Sequence, residues 1–140
     1  MDASRVLAVE VSQIARRWRI RLDERLKPVG LTKAASVVLF WLSRAPDGMT
    51  QTELAEQIGV ETSTLTRQLD SMEARGLIER RGVATDRRVK RVVLTERALP
   101  LVNQIDAIDA GLRAELFDGL STDEVHAAVS VLQKLRSRLA

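Results

Sequence analysis

The feature that most restricts this chain is a pair of helices that must fold back on one another across a single glycine. Thr50-Gln51-Thr52-Glu53 reads as a capping box, in which hydroxyl and carboxylate satisfy the backbone donors left free at a helix start. Gly59 stops that helix early, and a second one runs from about Thr62 to Arg75, with Leu65, Leu69 and Met72 on one stripe and Gly76 as its stop. Ala55 stands four residues before Gly59 and Leu65 six residues after it. The small alanine permits close approach, the glycine makes the sharp turn, and the leucine anchors the second helix to the first. These residues describe a helix-turn-helix.

What the second helix presents on its other side decides its use. Ser63, Thr66, Arg67 and Asp70 lie away from the apolar stripe, with Thr62 and Thr64 at the N-terminal end. Short hydroxyls let a helix sit deep in a DNA major groove, and an arginine bonds guanine at two points. A merely solvated face would carry more Glu and Lys.

The flanking segments are mostly helical. Leu7, Val11, Ile14, Trp18 and Leu22 predict one long amphipathic helix over the first ~25 residues, ending near Pro28 and Gly30. Thr32 caps a helix through Ala34, Val38, Leu39 and Leu42 that stops before the turn Ala45-Pro46-Asp47-Gly48. Ile78–Arg81 and Arg91–Leu94 predict two short strands, with the polar stretch Gly82–Lys90 closing a hairpin, or wing. Thr95 is expected to open a helix carrying Leu101, Ile105, Ile108, Leu112 and Leu116, bent in its first turns by Pro100. Ser121-Thr122-Asp123-Glu124 is a second capping box before Val125, Val129, Leu132, Leu135 and Leu139. Aromatic residues make up only 3% of the 140 and tyrosine is absent, which favours packed helices over a sandwich or barrel. The expected fold class is mainly α with a small β-wing, in one domain.

Charge singles out the wing. The formal net charge is +3, yet Gly76–Arg97 holds seven basic residues (Arg80, Arg81, Arg87, Arg88, Lys90, Arg91, Arg97) against three acidic ones, Glu79, Asp86 and Glu96. Such concentration is the footprint of a phosphate-binding surface. Asp86, two residues before Arg88, is placed to hold that arginine extended for entry into a minor groove. Arg87, Lys90 and Arg91 would then lie near backbone phosphates.

Other classes are disfavoured. Without cysteine there is no disulfide, thiolate metal site or thiol-based sensing. His126 is the lone histidine and builds no metal site by itself, and no glycine-rich phosphate loop or metal-spaced carboxylate cluster is present, so neither an enzyme nor a cofactor is expected. No apolar run approaches the ~20 residues needed to cross a bilayer, and the N-terminus lacks a signal-peptide core, so a cytoplasmic protein without membrane contact is expected.

The run Thr85-Asp86-Arg87-Arg88-Val89-Lys90-Arg91-Val92-Val93-Leu94-Thr95 resembles the wing signature of the MarR family of bacterial regulators, Asp-x-Arg followed by a strand ending Leu-Thr. Trp18–Thr32 and Gly59–Glu73 resemble the SlyA branch of that family. The resemblance implies a homodimer whose terminal helices interleave, with residues 1–30 and 98–140 as the dimerisation region and 31–97 as the winged helix-turn-helix lobe. It implies major-groove contacts by Ser63, Thr64, Arg67 and Gln68, beside Thr62 and Thr66, and a minor-groove role for Arg88. Thr32 and Thr50 begin helices whose amides would meet phosphate. The partner would be a pseudo-palindromic double-stranded DNA operator and the function transcriptional repression. Release by a small anionic aromatic ligand, such as an aromatic carboxylate, would use Arg17, Trp18, Phe40 and Trp41. The SlyA likeness also admits a counter-silencer with degenerate sites and no dedicated ligand.

Overall fold

Asp2 opens α1 (Ala3–Leu26) by accepting the Arg5 amide at 3.0 Å, and a 3₁₀ turn, Lys27–Val29, with Pro28 in it follows the helix. These elements come from a computed structural model that describes residues 2–83 and 85–140. α2 (Lys33–Ser43) is capped twice: Thr32 Oγ1 accepts the Ala35 amide, and the Asp23 carboxylate of α1 accepts the Lys33 amide, each at 3.1 Å. Its buried Ser36 hydroxyl donates to the Lys33 carbonyl at 2.7 Å, so no polar group is stranded in the core there.

Residues 45–48 turn the chain into β1 (Met49–Thr50), and at Gly48 both the backbone angle and the surroundings favour glycine. Its φ is +81°, and a Cβ there would stand 2.5 Å from Val93 Cγ1 and 2.6 Å from the Val92 carbonyl oxygen. α3 (Gln51–Ile58) and α4 (Thr62–Ala74) follow, then β2 (Ile78–Val83) and β3 (Asp86–Leu94). The three strands form an antiparallel sheet in the order β1-β3-β2. β1 was not expected, because two residues are too short to show an alternating pattern.

Two expectations are corrected. Most of the expected wing loop Gly82–Lys90 is strand: the ladder runs from Ile78↔Leu94 through Gly82↔Lys90 to Val83↔Asp86, with a shift between Gly82 and Val83. Gly82, Arg88, Val89 and Lys90 are exposed and the segment shows no apolar alternation in sequence, while backbone pairing does not require apolar side chains. The fifth helix does not open at Thr95. A 3₁₀ turn, Glu96–Ala98, intervenes, and α5 (Leu99–Leu116) carries Pro100 in its first turn, where a missing N–H has no helical partner to lose.

One compact unit reaches as far as Asp109. Its core joins Leu26, Leu31, Val38, Leu39, Leu54, Leu65, Leu69, Met72, Ile78, Val92, Ala98, Val102 and Ile105, so the first helix, the helix-turn-helix, the sheet and the start of α5 share one apolar centre. The second unit, Ala110–Ala140, holds the end of α5 and α6 (Thr122–Leu139). Ser121 and Glu124 form the expected capping box, with amide contacts of 3.1 and 3.0 Å. Leu112 is buried, whereas Leu116, Phe117, Leu120, Val129, Leu132 and Leu135 are exposed.

Candidate nucleic-acid interface

The capping box at the start of α3 is present: Thr50 Oγ1 accepts the Glu53 amide at 3.1 Å, and the Glu53 carboxylate accepts the Thr50 amide at 3.0 Å. Gly59 ends α3 at φ +81° and donates to the Ala55 carbonyl at 2.8 Å; a Cβ there would touch nothing within 4 Å, so it is the backbone angle and not crowding that calls for glycine. α4 then lays Leu65, Leu69 and Met72 into the core. Ser63, Thr64 and Arg67 are exposed on its far side, as is Thr62, and Gln68 is half-buried. Glu61, at the N-cap, makes no side-chain cap, so the first amides of α4 have no side-chain acceptor from that residue, an arrangement suited to phosphate.

Polar bonds hold this helix in place. Gln51 Nε2 donates to Thr66 Oγ1 and, at 3.4 Å, to the Thr62 carbonyl, while the Thr66 hydroxyl donates to that same carbonyl at 2.8 Å. The Thr66 hydroxyl is therefore engaged within the protein. From β2, Arg80 reaches across to α4. Its Nη2 lies 2.9 Å from Asp70 Oδ1 and its Nη1 2.9 Å from Glu73 Oε1, and its backbone amide also donates to Glu73 at 3.3 Å. Thr95 closes the other end, donating its hydroxyl to the Gly76 carbonyl at 2.6 Å and its amide to the Leu77 carbonyl at 3.1 Å.

The wing's basic residues divide by their surroundings. Arg81 pairs with Glu79 at 3.1 Å, and Arg91 donates to the Gly48 carbonyl at 2.9 Å with Glu53 3.9 Å away. Arg91 thus ties β3 to the turn before β1, a job that sequence reading did not foresee for it. Arg88 and Lys90 are exposed. They line a groove of about 670 Å³ with Thr50, Gln51, Thr52, Thr66, Asp70, Arg80 and Val89. The structure therefore gathers Thr50, Thr66, Arg88 and Lys90 at one surface. The side chains of Asp86 and Arg87 lie outside the described residues.

Thr32 sits apart, at the start of α2. Two of the amides there already have acceptors, Thr32 itself and Asp23. Burial, together with the charge of Arg19, lowers the pKa of the neighbouring Lys33, with Asp23 opposing. Of the expected ligand-pocket residues, Arg17 is exposed and Trp18 half-buried. Phe40 and Trp41 meet edge to face at 5.5 Å, Trp41 packs on the core, and the Arg44 guanidinium stacks 3.6 Å above the Phe40 ring. His126 lies exposed on α6, and no metal-binding cluster occurs among the described residues.

Sequence reading missed Arg80. The available signal was Asp70 and Glu73, one helical turn apart on α4, which call for a cation from a neighbouring element.

A helix-turn-helix followed by a β-hairpin that flanks its second helix defines a winged-helix protein. The MarR family model matches residues 29–89, the span of α2 to the wing. The chain is similar over nearly its full length to solved regulators. Transcriptional regulator PA3341 is 41% identical, over 95% of this chain and 97% of its own, with a TM-score of 0.89. AbsC, a MarR family transcriptional regulator from Streptomyces coelicolor, is 26% identical over 99% of this chain and 95% of its own, with a TM-score of 0.87. MepR of S. aureus, solved as a DNA complex, is 25% identical over 95% and 96%, with a TM-score of 0.83. The chain belongs to the MarR family of DNA-binding transcriptional regulators.

Proposed function

We propose that the protein is a homodimeric, sequence-specific repressor that reads a pseudo-palindromic operator with α4 and its wing. The observation that carries this reading is the polar face of α4: Ser63, Thr64 and Arg67 stand exposed opposite a fully packed stripe, beside the groove that holds Arg88 and Lys90. Thr62, Ser63, Thr64, Thr66, Arg67 and Gln68 are assigned to the major groove. Arg88 is assigned to the minor groove, and Lys90 with Arg87 to phosphate. MepR, whose structure holds DNA, supports this use of the shared fold.

The dimer is argued from apolar surface. On α1, Val6, Val9, Val11, Ile14 and Ile20 are each at least 42% exposed. In the second unit, no residue of α6 is buried although Val129, Leu132, Leu135 and Leu139 repeat at helical spacing. Burying such a side chain completely is worth ~1.5–3 kcal/mol relative to full exposure, and for most of these a second copy would supply roughly the half still outstanding. Residues 1–30 and 98–140 are accordingly the dimerisation region and 31–97 the DNA-binding lobe. Placement in the SlyA-like branch rests on the two sequence segments named above, and release by an aromatic carboxylate rests on Arg17, Trp18, Phe40 and Trp41.

The test is binding of the purified protein to DNA from its own upstream region, titrated against salt, with salicylate-type carboxylates in a parallel series. Tight, salt-dependent binding as a dimer, weakened by a carboxylate, is the expected result. Uniform affinity for all sequences overturns the operator reading, and tight binding at many degenerate sites indifferent to every carboxylate moves the assignment to a counter-silencer.

A further inference from the structure

The helix assigned to the major groove has the wrong charge for its task. Between Thr62 and Ala74 it carries one cation, Arg67, against two carboxylates, Asp70 and Glu73. Asp70 is 63% exposed and lines the groove between α4 and the wing, where a DNA backbone would pass if the operator reading holds. At physiological ionic strength charges interact over a Debye length of about 8 Å, so a bare carboxylate on this surface would repel the phosphates nearest to it.

Arg80 answers this deficit. One guanidinium meets both carboxylates, through two different nitrogens at the same 2.9 Å, and its side chain is only 17% exposed. Although Arg80 also lines that groove, both of its terminal nitrogens are engaged by the two carboxylates, which leaves it poorly placed to grip phosphate itself. It stands on β2 and not on α4, so the helix keeps its short hydroxyls and Arg67 clear while the neutralising charge arrives from the side. We propose that Arg80 is a resident counterion for α4, a positioning residue that neutralises Asp70 and Glu73 so that DNA can approach, without contacting the DNA itself. The inference rests on the DNA-binding reading above.

A plain mechanical strut would hold α4 against the wing equally well, so the test must separate charge from bracing. The probe is a fluorescein-labelled duplex that the wild-type protein selects from a random pool, read by anisotropy at two salt concentrations, with thermal melting of each variant as the folding control. Arg80→Gln is expected to weaken binding about tenfold at low salt, or ~1.4 kcal/mol, with a smaller loss at high salt. Adding Asp70→Asn to Arg80→Gln is expected to recover about half of that loss on a logarithmic scale, a larger gain than Asp70→Asn produces in the wild-type background. A strut cannot be rescued by removing the group it braces, so failure of Asp70→Asn to rescue overturns the proposal.

If Arg80→Gln does not fold, Arg80→Lys decides, because lysine keeps the charge and loses the two-point fork. Binding within about threefold of wild type then supports the counterion, and a folded Arg80→Lys that binds tenfold or more weakly refutes it. If the wild-type protein selects no duplex at all, the DNA-binding reading has failed, and this proposal falls with it.

Discussion

Gly48 and Gly59 share nearly the same backbone angle and should respond very differently to alanine. Both have φ +81°. For a non-glycine residue the left-handed region costs about 1–2 kcal/mol, partly offset because alanine restricts the unfolded chain. At Gly59 nothing lies within 4 Å of an added Cβ, so this conformational term is the whole effect, and Gly59→Ala should destabilise by about 1 kcal/mol. At Gly48 the same methyl would stand 2.5 Å from Val93 Cγ1 and 2.6 Å from the Val92 carbonyl oxygen. Val93 has rotamers to try, but the carbonyl is backbone inside the β1-β3 pairing and cannot retreat without breaking it. Overpacking of this kind adds about 1–3 kcal/mol, so Gly48→Ala should cost ~3 kcal/mol in all. For a chain of this size that is a fall of ~10 °C in melting temperature, against ~3 °C for Gly59→Ala. Calorimetry or urea titration of both variants at one protein concentration measures the difference, the fixed concentration holding any contribution from subunit association the same in both. Equal losses, or a larger loss at Gly59, would refute the separation of backbone angle from crowding.

Three further outcomes are expected. Arg67→Ala should weaken operator binding by ~1–3 kcal/mol and relax base preference at one position in each half-site, and an equal loss on every sequence in a selection experiment would remove its base-reading role. Leu132→Glu places a charge within the exposed stripe of α6 and should convert the dimer to monomer in sedimentation analysis while the far-ultraviolet helix signal is largely kept; an unchanged sedimentation coefficient would show that this stripe is not the interface. Hydrogen bonds from Ser121 lower the pKa of Glu124, so its capping contribution is full above the ordinary glutamate range and is lost as pH falls through the depressed folded value. Protection of the amides at the start of α6, taken relative to the intrinsic exchange rate at each pH, should therefore fall in acid in the wild type and lose that pH step in Glu124→Gln.

Most of the helical architecture was legible in the sequence because its signals are local. The capping boxes at Thr50 and Ser121 and the stop at Gly59 each act within a few residues, and the structure reproduces them. The apolar stripe Leu65, Leu69, Met72 likewise specified which side of α4 enters the core, and with it which side remains for a partner. Elements defined by pairing were less visible. β1 exists only because Met49 and Thr50 meet Val92 and Arg91, and the polar outer wing is strand only because its two halves pair.

The same division runs through the candidate interface. Residue type and helical period alone put Ser63, Thr64 and Arg67 on one face. Which polar groups are occupied was decided by residues far apart in the chain. Arg91 is drawn to Gly48, 43 positions away, Thr66 is bonded by Gln51, and Arg80 closes on Asp70 and Glu73. A sequence states how many charges the wing contains, but an arginine's availability depends on the carboxylates and carbonyls that folding brings within about 3 Å of it, and only the tertiary structure sets those distances.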